Sequence, residues 1–368
     1  MEAGGKALKE CYQCGLCTGT CPWNLVKNFP TRKLIHQSQL GIADFESEDT
    51  WTCATCRACV ARCPRGVAII DIMKALRGVI VGMGAGYVPD GLRVTLKNIA
   101  GTGNPLGESA EKRTDWARDL DIAPFTKDTE VLYFSCCIPA YDPNIKRVAR
   151  ATATLLKKAG VNFGILGPRE SCCGESVRKA GNESLFQTLA QSNISAFLES
   201  GVTKIVVSSP HCYHTFKNEY PELGSSFEVV HFSQYLAELI GEERLKPRKE
   251  LNLKVTYHDP CYLGRHNSVY DEPREVLRSI PGLELVEMAE CRENSLCCGG
   301  GGSRIWQETK KGERLSDLRL DQAVATGASV LATACPYCML NFEDSILTSD
   351  KGDVIRLKEI SELVLEAL

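Results

Sequence analysis

The sequence predicts an α+β protein in which an α-helical, cysteine-rich N-terminal domain precedes two copies of one α/β unit. Three observations predict this fold. Eight of the 19 cysteines lie within the first 63 of the 368 residues. From Glu130 onward, apolar strands alternate with amphipathic helical segments. The same order of strands and cysteines then occurs twice, which indicates a duplicated domain.

Composition excludes several classes of protein. The formal net charge is −3, so nothing suggests nucleic acid or an anionic membrane as a main partner. We expect no membrane span, because the most apolar stretch is too short and too rich in glycine. The first residues lack the apolar core of a secretory signal, so we expect a cytoplasmic chain. Thiols stay reduced there, and 19 cysteines therefore indicate metal or redox chemistry rather than disulfides.

The N-terminal domain, predicted over residues 1–100, carries two runs of one spacing. Both runs read C-x2-C-x2-C-x3-C-P, beginning at Cys11 and Cys53. This is the bacterial ferredoxin signature, in which the fourth cysteine of each run ligates the other cluster. We therefore predict two cubane [4Fe–4S] clusters in a ferredoxin-like domain. The predicted ligands are Cys11, Cys14, Cys17 and Cys63 for the first cluster, and Cys53, Cys56, Cys59 and Cys21 for the second. Paired CxxC motifs leave two zinc sites as the alternative.

Two helices are predicted beside these runs. One lies within Pro30–Gly41, with proline at its start and glycine at its end, and the other covers Ile69–Val81. We expect them to pack over the clusters. The polar segment 101–129, with glycine, proline and many charges, is predicted to be a linker on the surface.

The first α/β unit is predicted over 130–250 and the second over 251–368. Each unit has a cysteine after its first strand, then a Cys-Cys-Gly motif, then a cysteine-containing motif after a later strand. In the first unit these positions are Cys137, Cys172, Cys173, Ser209 and Cys212; in the second they are Cys261, Cys297, Cys298, Cys335 and Cys338. The offsets between the copies are 124, 125 and 126 residues. These positions fall at strand ends and helix starts, where α/β folds place their sites.

These spacings resemble the CCG domains of heterodisulfide reductase, whose pattern ends in CCG followed by CxxC. The N-terminal block, with CYQCG and WTCATCRACVARCP, resembles the ferredoxin-like subunit of the same system. A chain with both parts in this order is similar to the fused, D-type members of that family. Relatives of the family include iron–sulfur subunits of glycolate and glycerol-3-phosphate dehydrogenases, of sulfite-reduction complexes and of the benzoyl-CoA reductase complex.

The resemblance implies a non-cubane [4Fe–4S] cluster on five cysteines in each unit. The second unit has all five, namely Cys261, Cys297, Cys298, Cys335 and Cys338. The first unit has Ser209 at the fourth position and keeps Cys137, Cys172, Cys173 and Cys212. Serine oxygen suits these clusters poorly. A replacement by Cys136, an ordinary cubane, a zinc ion and an empty site all stay open, with His211 and His214 as further candidate ligands.

Other motifs have simpler interpretations. Taken alone, Cys335-Pro-Tyr-Cys338 is typical of glutaredoxin-type redox sites, and this alternative stays open. The glycines 299–302 lack the following Lys-Ser/Thr of a phosphate loop, and we expect them to let the backbone approach a cluster closely. His258 and Asp259 form either an acid–base pair or a turn that orients Cys261. Cys291 fits no pattern and is expected to be a buried thiol.

The predicted clusters form an electron path, and the sequence offers no flavin or nicotinamide motif. The resemblance implies two partners, a flavin-containing protein similar to the A-type component of heterodisulfide reductase and a separate catalytic subunit. We therefore expect an electron-transfer subunit of an anaerobic multi-subunit oxidoreductase. The alternative is a heterodisulfide or thiol-disulfide reductase whose catalytic cysteines are the five of the second unit. Ser209 argues against that alternative, because the family mechanism uses two complete clusters.

Overall fold

The computed structural model describes residues 2–84, 86–349 and 351–368. It confirms the α+β fold in the predicted order. In the N-terminal domain the described residues form helices connected by loops. These helices are α1 (Glu2–Glu10), α2 (Leu16–Thr20), α3 (Thr31–Gln39), α4 (Asp49–Thr52), α5 (Ala58–Ala61), α6 (Ile69–Met83) and α7 (Asp90–Thr102), with a 3-10 turn at Pro22–Leu25.

Helices α3 and α6 confirm the two predicted helices. Helix α6 buries Ile69, Ile72, Met73 and Ile80 at helical spacing, and it ends at Gly84, which adopts a left-handed backbone. Helix α1, which the sequence patterns did not indicate, packs against both α3 and α6. The N-terminal domain is therefore held together by a helix that precedes the first cysteine run.

The first unit alternates strands with helices. Its elements are β1 (Val131–Phe134), α8 (Cys137–Tyr141), α9 (Lys146–Lys158), β2 (Phe163–Gly164), α10 (Glu175–Lys179), α11 (Glu183–Ser200), β3 (Lys204–Val207), α12 (Pro210–His214), β4 (Glu228–His231) and α13 (Phe232–Gly241). The second unit contains β5 (Leu253–Tyr257), α14 (Gly264–Asn267), α15 (Glu272–Arg278), β6 (Leu283–Val286), α16 (Leu315–Ala325), β7 (Val330–Thr333), α17 (Pro336–Leu347), β8 (Arg356–Glu359) and α18 (Ile360–Glu366).

Each unit contains a parallel four-stranded sheet, as predicted. The strand orders are β2-β1-β3-β4 and β6-β5-β7-β8, so the second sheet repeats the first. Leu132 is aligned with Ile205 in the first sheet, and Thr256 with Leu331 in the second. The strand order changes direction between β1 and β3 and between β5 and β7, which creates a crevice at the carboxyl ends of these strands. The first and last cysteine motifs of each unit follow these four strands, and the Cys-Cys-Gly motifs follow β2 and β6.

The two units pack against each other in a pseudo-twofold arrangement. Helix α9 of the first unit packs on α18 of the second, and α13 of the first packs on α15 of the second. One apolar core spans both units, and Leu155, Leu236, Leu277 and Leu363 are fully buried in it. Within the described residues, no helix combines the length and the apolar character needed to cross a bilayer.

The segment 101–129, predicted to be a surface linker, packs as part of the first unit. A 3-10 helix at Ala110–Ala117 buries Arg113 and Trp116, and the Trp116 ring meets Tyr133 edge-on with 5.7 Å between ring centroids. The backbone of Phe125 donates to Ile165 at 2.9 Å, which adds a short extension to the first sheet. The segment packs on the surface of the first unit, where Trp116 and Arg113 fix it to β1.

Candidate metal centres

The two N-terminal cysteine runs adopt the same backbone geometry. Gln13 and Gly15 in the first run, and Thr55 and Arg57 at the same positions in the second, have positive φ angles of 66°, 85°, 48° and 67°. A left-handed residue after the first cysteine and another after the second tighten each loop and turn it into a short helix. The structure thereby brings the thiols of each run to one side of their loop.

The fourth cysteine of each run lies beside the opposite run. Burial raises the pKa of the Cys21 thiol, and its neighbours Cys56 and Cys53 raise it further. Tyr12, in the first run, lies near Cys63 as well as Cys14. This arrangement is the one that cross-ligation of two clusters requires, although the two ligand sets themselves stay a prediction.

The two N-terminal thiol groups differ in exposure. Cys14 is exposed, and its neighbours Tyr12 and Leu16 are 58% and 46% exposed. Cys56 is buried. Burial raises the pKa of Cys59, and the neighbouring thiols of Cys53, Cys56, Cys21 and the more distant Cys17 raise it further. Because Cys17 belongs to the first group and the other three belong to the second, Cys59 lies near both groups. The first group thus lies at the protein surface and the second lies inside.

The inner group meets the second unit directly. The Cys56 thiol interacts with the Cys297 thiol, and this contact, followed by burial, raises the pKa of Cys56. Around it, Nε of Arg265 donates to the Cys56 carbonyl at 2.7 Å, and the hydroxyls of Thr55 and Tyr262 lie 2.7 Å apart. The inner thiols of the N-terminal domain therefore lie against the second α/β unit, which is farther away in sequence than the first.

Glycines 301 and 302 make this contact sterically feasible. A Cβ atom on Gly301 would lie 2.5 Å from the Ala54 carbonyl oxygen, and one on Gly302 would lie 2.4 Å from that of Cys53. Both distances are impossible for a side chain, so glycine is required. Gly301 and Gly302 therefore allow a close approach to the backbone of the second N-terminal run, while Gly299 of the same loop directs its N–H at the Cys297 sulfur; the approach to a cluster stays a prediction.

Arg77 fixes the same junction from the other side. Its guanidinium is fully buried and donates to four backbone carbonyls that belong to all three domains. The acceptors are Thr50 at 3.0 Å, Cys53 at 2.8 Å, Lys179 at 3.0 Å and Gly302 at 3.0 Å. Burial lowers the pKa of Arg77. A planar five-donor group can satisfy so many buried acceptors at once, which lysine cannot.

The second unit brings its five predicted cysteines together at the carboxyl ends of β5 and β7. Cys297 and Cys261 have sulfurs 4.0 Å apart, and those of Cys298 and Cys338 are 3.3 Å apart. Cys335 immediately precedes α17 and interacts with Cys338. Burial alone would raise the pKa of Cys335, but its interactions with Cys338 and His211 lower that pKa to about 6. That pKa suits the glutaredoxin-type alternative, but the Cys335 residue is only 1% exposed.

His258 faces this group of thiols. A ring nitrogen of His258 and the sulfurs of Cys298 and Cys338 lie within 4.8 Å of one another. Nε of Arg319 donates to Nδ1 of His258 at 3.2 Å, which makes Nε2 the protonated nitrogen. Nε2 is buried and has no hydrogen-bond partner among the described residues.

Asp259 has a different role from His258. Its two carboxylate oxygens accept hydrogen bonds from Arg274 at 2.7 and 2.9 Å, in a fully buried ion pair. The carboxylate also accepts the backbone N–H of Arg292 at 2.8 Å. Asp259 thus orients the turn before Cys261, and the two side chains do not form an acid–base pair.

The first unit assembles its thiols in the same way. Cys172 interacts with both Cys137 and Cys173, and Cys173 interacts with Cys212. The backbone N–H of Gly174 donates to the Cys172 sulfur at 3.4 Å, as that of Gly299 donates to the Cys297 sulfur at 3.3 Å in the second unit. Cys136 also belongs to this group, because it interacts with Cys212. Cys291 lies outside both groups and is partly exposed, contrary to the buried thiol expected from sequence.

His211, predicted as a candidate ligand of the first unit, turns toward the second unit instead. Its ring stacks on Tyr262 and Tyr337 with centroid distances of 4.0 and 4.3 Å, and it interacts with Cys335. Nδ1 lies 3.3 Å from a carboxylate oxygen of Glu175. Burial disfavours both the Glu175 carboxylate and a protonated His211, but each charge stabilises the other. As a result the pKa of Glu175 is lowered to about 2 and that of His211 is raised to about 10.

His214, the other histidine candidate, also lies away from the first-unit thiols. Its Nδ1 lies 3.1 Å from the side-chain nitrogen of Asn218.

Sequence reasoning missed Glu175, Tyr262 and Tyr337. Each lies within two positions of a predicted cysteine, but nothing in one sequence shows which side of the interface such a residue faces.

The chemistry of these donor sets fits iron–sulfur clusters. Neighbouring thiols and burial raise the pKa values of Cys56, Cys59 and Cys338, whereas hydrogen bonds from neighbouring groups lower those of Cys173, Cys298 and Cys335. A cation bound among them would stabilise the thiolates. Backbone N–H groups directed at cysteine sulfur, as at Gly174 and Gly299, are the usual outer contacts of such clusters.

Comparison with known proteins agrees with this chemistry. The family described as "Cysteine-rich domain" (CCG) matches residues 131–217 and 255–343, and that described as "4Fe-4S dicluster domain" matches residues 7–67. The D-type component of dihydromethanophenazine:CoB–CoM heterodisulfide reductase from Methanosarcina mazei is 33% identical over 393 residues, covering 98% of this chain and 94% of the relative.

Two further relatives are longer proteins. The EtfAB:quinone oxidoreductase of Syntrophomonas wolfei is 37% identical over 336 residues, which cover 88% of this chain but 47% of the relative. The B-type component of the fumarate reductase (CoM/CoB) of Methanothermobacter marburgensis is 27% identical, covering 98% of this chain and 72% of the relative. The chain thus spans about half the length of the first of these two proteins.

Proposed function

This chain belongs to the family of the D-type component of heterodisulfide reductase, and on that premise we propose that it is the electron-transfer subunit of an anaerobic multi-subunit oxidoreductase complex. It relays single electrons between a flavin-containing partner and a catalytic subunit. The carriers are two cubane [4Fe–4S] clusters in the N-terminal domain and a non-cubane [4Fe–4S] cluster in the second unit. A cytoplasmic location is part of the proposal, because so many free thiols need reducing surroundings.

The observation that supports this proposal most is the continuous series of thiol groups. It begins at exposed Cys14, passes inward through Cys59, and crosses into the second unit where Cys56 meets Cys297. The packing of Cys56 and Cys297 in one buried cluster brings two predicted ligand sets close together, as single-electron transfer requires.

The surface around Cys14 supports docking of a redox partner. Residues 11–43 and 53–70, which carry all eight N-terminal cysteines, contain six lysines and arginines and no aspartate or glutamate, whereas the segment 44–52 between them carries four acidic residues, so the positive charge is local to the cysteine loops. Arg32, Lys33 and Arg65 are exposed, and none of them forms a salt bridge in the described part of the chain. A positive surface around an exposed carrier favours an acidic partner and speeds its approach. Two of the relatives are named as subunits, which supports a complex.

The proposal is tested by metal analysis and by the rate of reduction of the second unit. We expect about twelve irons or more per anaerobically prepared chain, eight in the N-terminal domain and at least four beyond it. After rapid mixing with dithionite, freeze-quench EPR should show the N-terminal signals before the signal of the second unit. The Cys56→Ser variant, which removes a predicted ligand of the inner cubane, should alter one N-terminal signal and slow the later signal, whereas Cys291→Ser, at a thiol outside all groups, should change neither. Eight irons in folded protein, or equal rates in both variants, would contradict the proposal.

A second candidate, the disulfide reductase, is favoured by one observation. A cleft of about 500 Å³ opens beside Cys298 and is lined by Trp23, Arg304 and Arg314 among others. Arg314 is paired with Asp344 in the same lining at 2.7 Å, so Arg304 is the cation left to bind a disulfide that carries an acidic group. Anaerobic turnover of such a disulfide by the reduced, isolated chain would establish the second candidate. Full reduction of the clusters without turnover would support the electron-transfer role.

A further inference from the structure

We propose that Cys136 supplies the fifth thiolate of an iron–sulfur cluster in the first unit, in place of the cysteine that is missing at Ser209. The inference rests on the proposed function, since it adds a carrier to the same electron path. It concerns a residue that lies outside the repeated cysteine pattern, because the second unit has Pro260 at the corresponding position, 124 residues later.

The thiol contacts of the two units correspond one to one once Cys136 is included. In the second unit Cys338 interacts with two thiols, those of Cys298 and Cys335. In the first unit the counterpart, Cys212, also interacts with two thiols, those of Cys173 and Cys136. Cys136 therefore occupies the place that Cys335 holds in the complete set.

The backbone conformation of Cys136 explains how this residue, which precedes Cys137, brings its thiol to Cys212. Cys136 has φ 64° and ψ 162°, a region that is essentially restricted to glycine and costs about 1–3 kcal/mol for other residues. Pro260 cannot adopt it, because the proline ring fixes φ near −65°. The Cys136 side chain is 2% exposed and lines the same cavity as Cys137, Cys173 and Ser209.

Each thiol group has a buried arginine beside it. In the first unit Nη1 of Arg113 lies 3.7 Å from the Cys137 sulfur, while Nε of Arg113 donates to the buried carboxylate of Glu170 at 2.8 Å. In the second unit Arg265 lies near Cys261 and Cys297 and donates to backbone carbonyls. The first unit has therefore kept a guanidinium donor to cysteine sulfur as well as four of the five repeated cysteines, although its charge is shared with Glu170.

The test uses Cys136→Gly, which removes the thiol and also relieves the strained backbone, so loss of metal cannot be assigned to misfolding. Cys291→Ser is the matched control. Iron, sulfide and zinc are measured per anaerobically prepared chain, with EPR of the reduced protein. We expect about sixteen irons in the wild type and in Cys291→Ser, and about twelve in Cys136→Gly with one EPR signal lost. In Cys136→Gly/Ser209→Cys, which restores five thiols, about sixteen should return.

Each other result overturns the inference. Equal iron in Cys136→Gly and the wild type would show that Cys136 is not a ligand. Twelve irons in the wild type, or one zinc with twelve irons, would show that the first unit holds no cluster. In both cases the N-terminal and second-unit clusters would still be loaded, so the proposed function would stand. A wild type with eight irons would instead remove the proposed function itself.

Discussion

Replacing Arg77 with methionine should detach the N-terminal domain from the two α/β units. The substitution keeps the apolar stem and removes four hydrogen bonds from a charged donor to buried carbonyls. Hydrogen bonds to charged groups contribute about 1.5–3 kcal/mol each, but methionine also avoids the cost of burying the guanidinium. Each buried carbonyl left without its donor costs about 1–3 kcal/mol, and after the saved cost of burying the guanidinium we expect a net loss of about 3–5 kcal/mol.

Hydrogen–deuterium exchange of the anaerobic holoprotein measures this loss where it occurs. A cost of about 3–5 kcal/mol lowers amide protection by roughly two to four orders of magnitude in segments that open together. We expect that change at residues 50–57 and 299–303, and little change in the strands. Arg93→Met is the control, because Arg93 also donates to a backbone carbonyl but has an exposed side chain. Equal protection of both segments in the two variants would refute the role given to Arg77.

Three further predictions concern the junction, the basic surface and the pH dependence of stability. Gly301→Ala should destabilise the junction by about 1–3 kcal/mol, because its Cβ would lie 2.5 Å from the Ala54 carbonyl oxygen; exchange at residues 50–57 measures this. Reversing the charges of Arg32, Lys33 and Arg65 should slow reduction by dithionite, an anion, about tenfold at low ionic strength and hardly at 1 M salt. Burial raises the pKa of Glu359 to about 8 in the folded protein. The stabilisation from its protonated carboxyl group is therefore complete at low pH and is lost as the pH rises toward 8. The free energy of unfolding should fall by at most about 1.4 kcal/mol per pH unit over that range. Glu359→Gln should remove this slope in anaerobic denaturant titrations from pH 5 to 9.

Matched controls at open or exposed positions decide these three experiments. The control for Gly301→Ala is Gly82→Ala, and the control for the basic surface is charge reversal of Lys158, Arg248 and Lys249. The control for Glu359→Gln is Glu308→Gln. Each prediction fails if its variant and its control give the same protection, the same rate constant or the same pH slope, respectively.

Periodic features of the sequence predicted most of the fold. The spacing of the two N-terminal runs and the offsets of about 125 residues between the α/β units predicted the domain order, the parallel sheets and the grouping of the thiols. These features are local or repeated, so one sequence contains them completely. Helix α3 also followed from its bounding proline and the glycine beyond its end.

Contacts between domains were out of reach of such patterns. Nothing in the spacing indicated that Cys56 meets Cys297, or that His211 crosses from the first unit to Cys335. Arg77 lies on a helix with ordinary amphipathic periodicity, so its interdomain role left no trace there. The strained backbone of Cys136 was equally invisible, since a cysteine next to a cysteine carries no conformational signal.

The docking of the N-terminal domain onto the second unit has a consequence for biogenesis. The glycine loop that covers Cys53 and Ala54 is synthesised roughly 250 residues after them, which at about 5–20 residues per second takes about 12–50 s. During that interval the inner thiols of the nascent N-terminal domain are open to the machinery that delivers iron and sulfide. Once the loop closes, Cys56 is buried. We therefore expect a cluster held by the inner thiols to exchange more slowly than one held by the exposed group at Cys14.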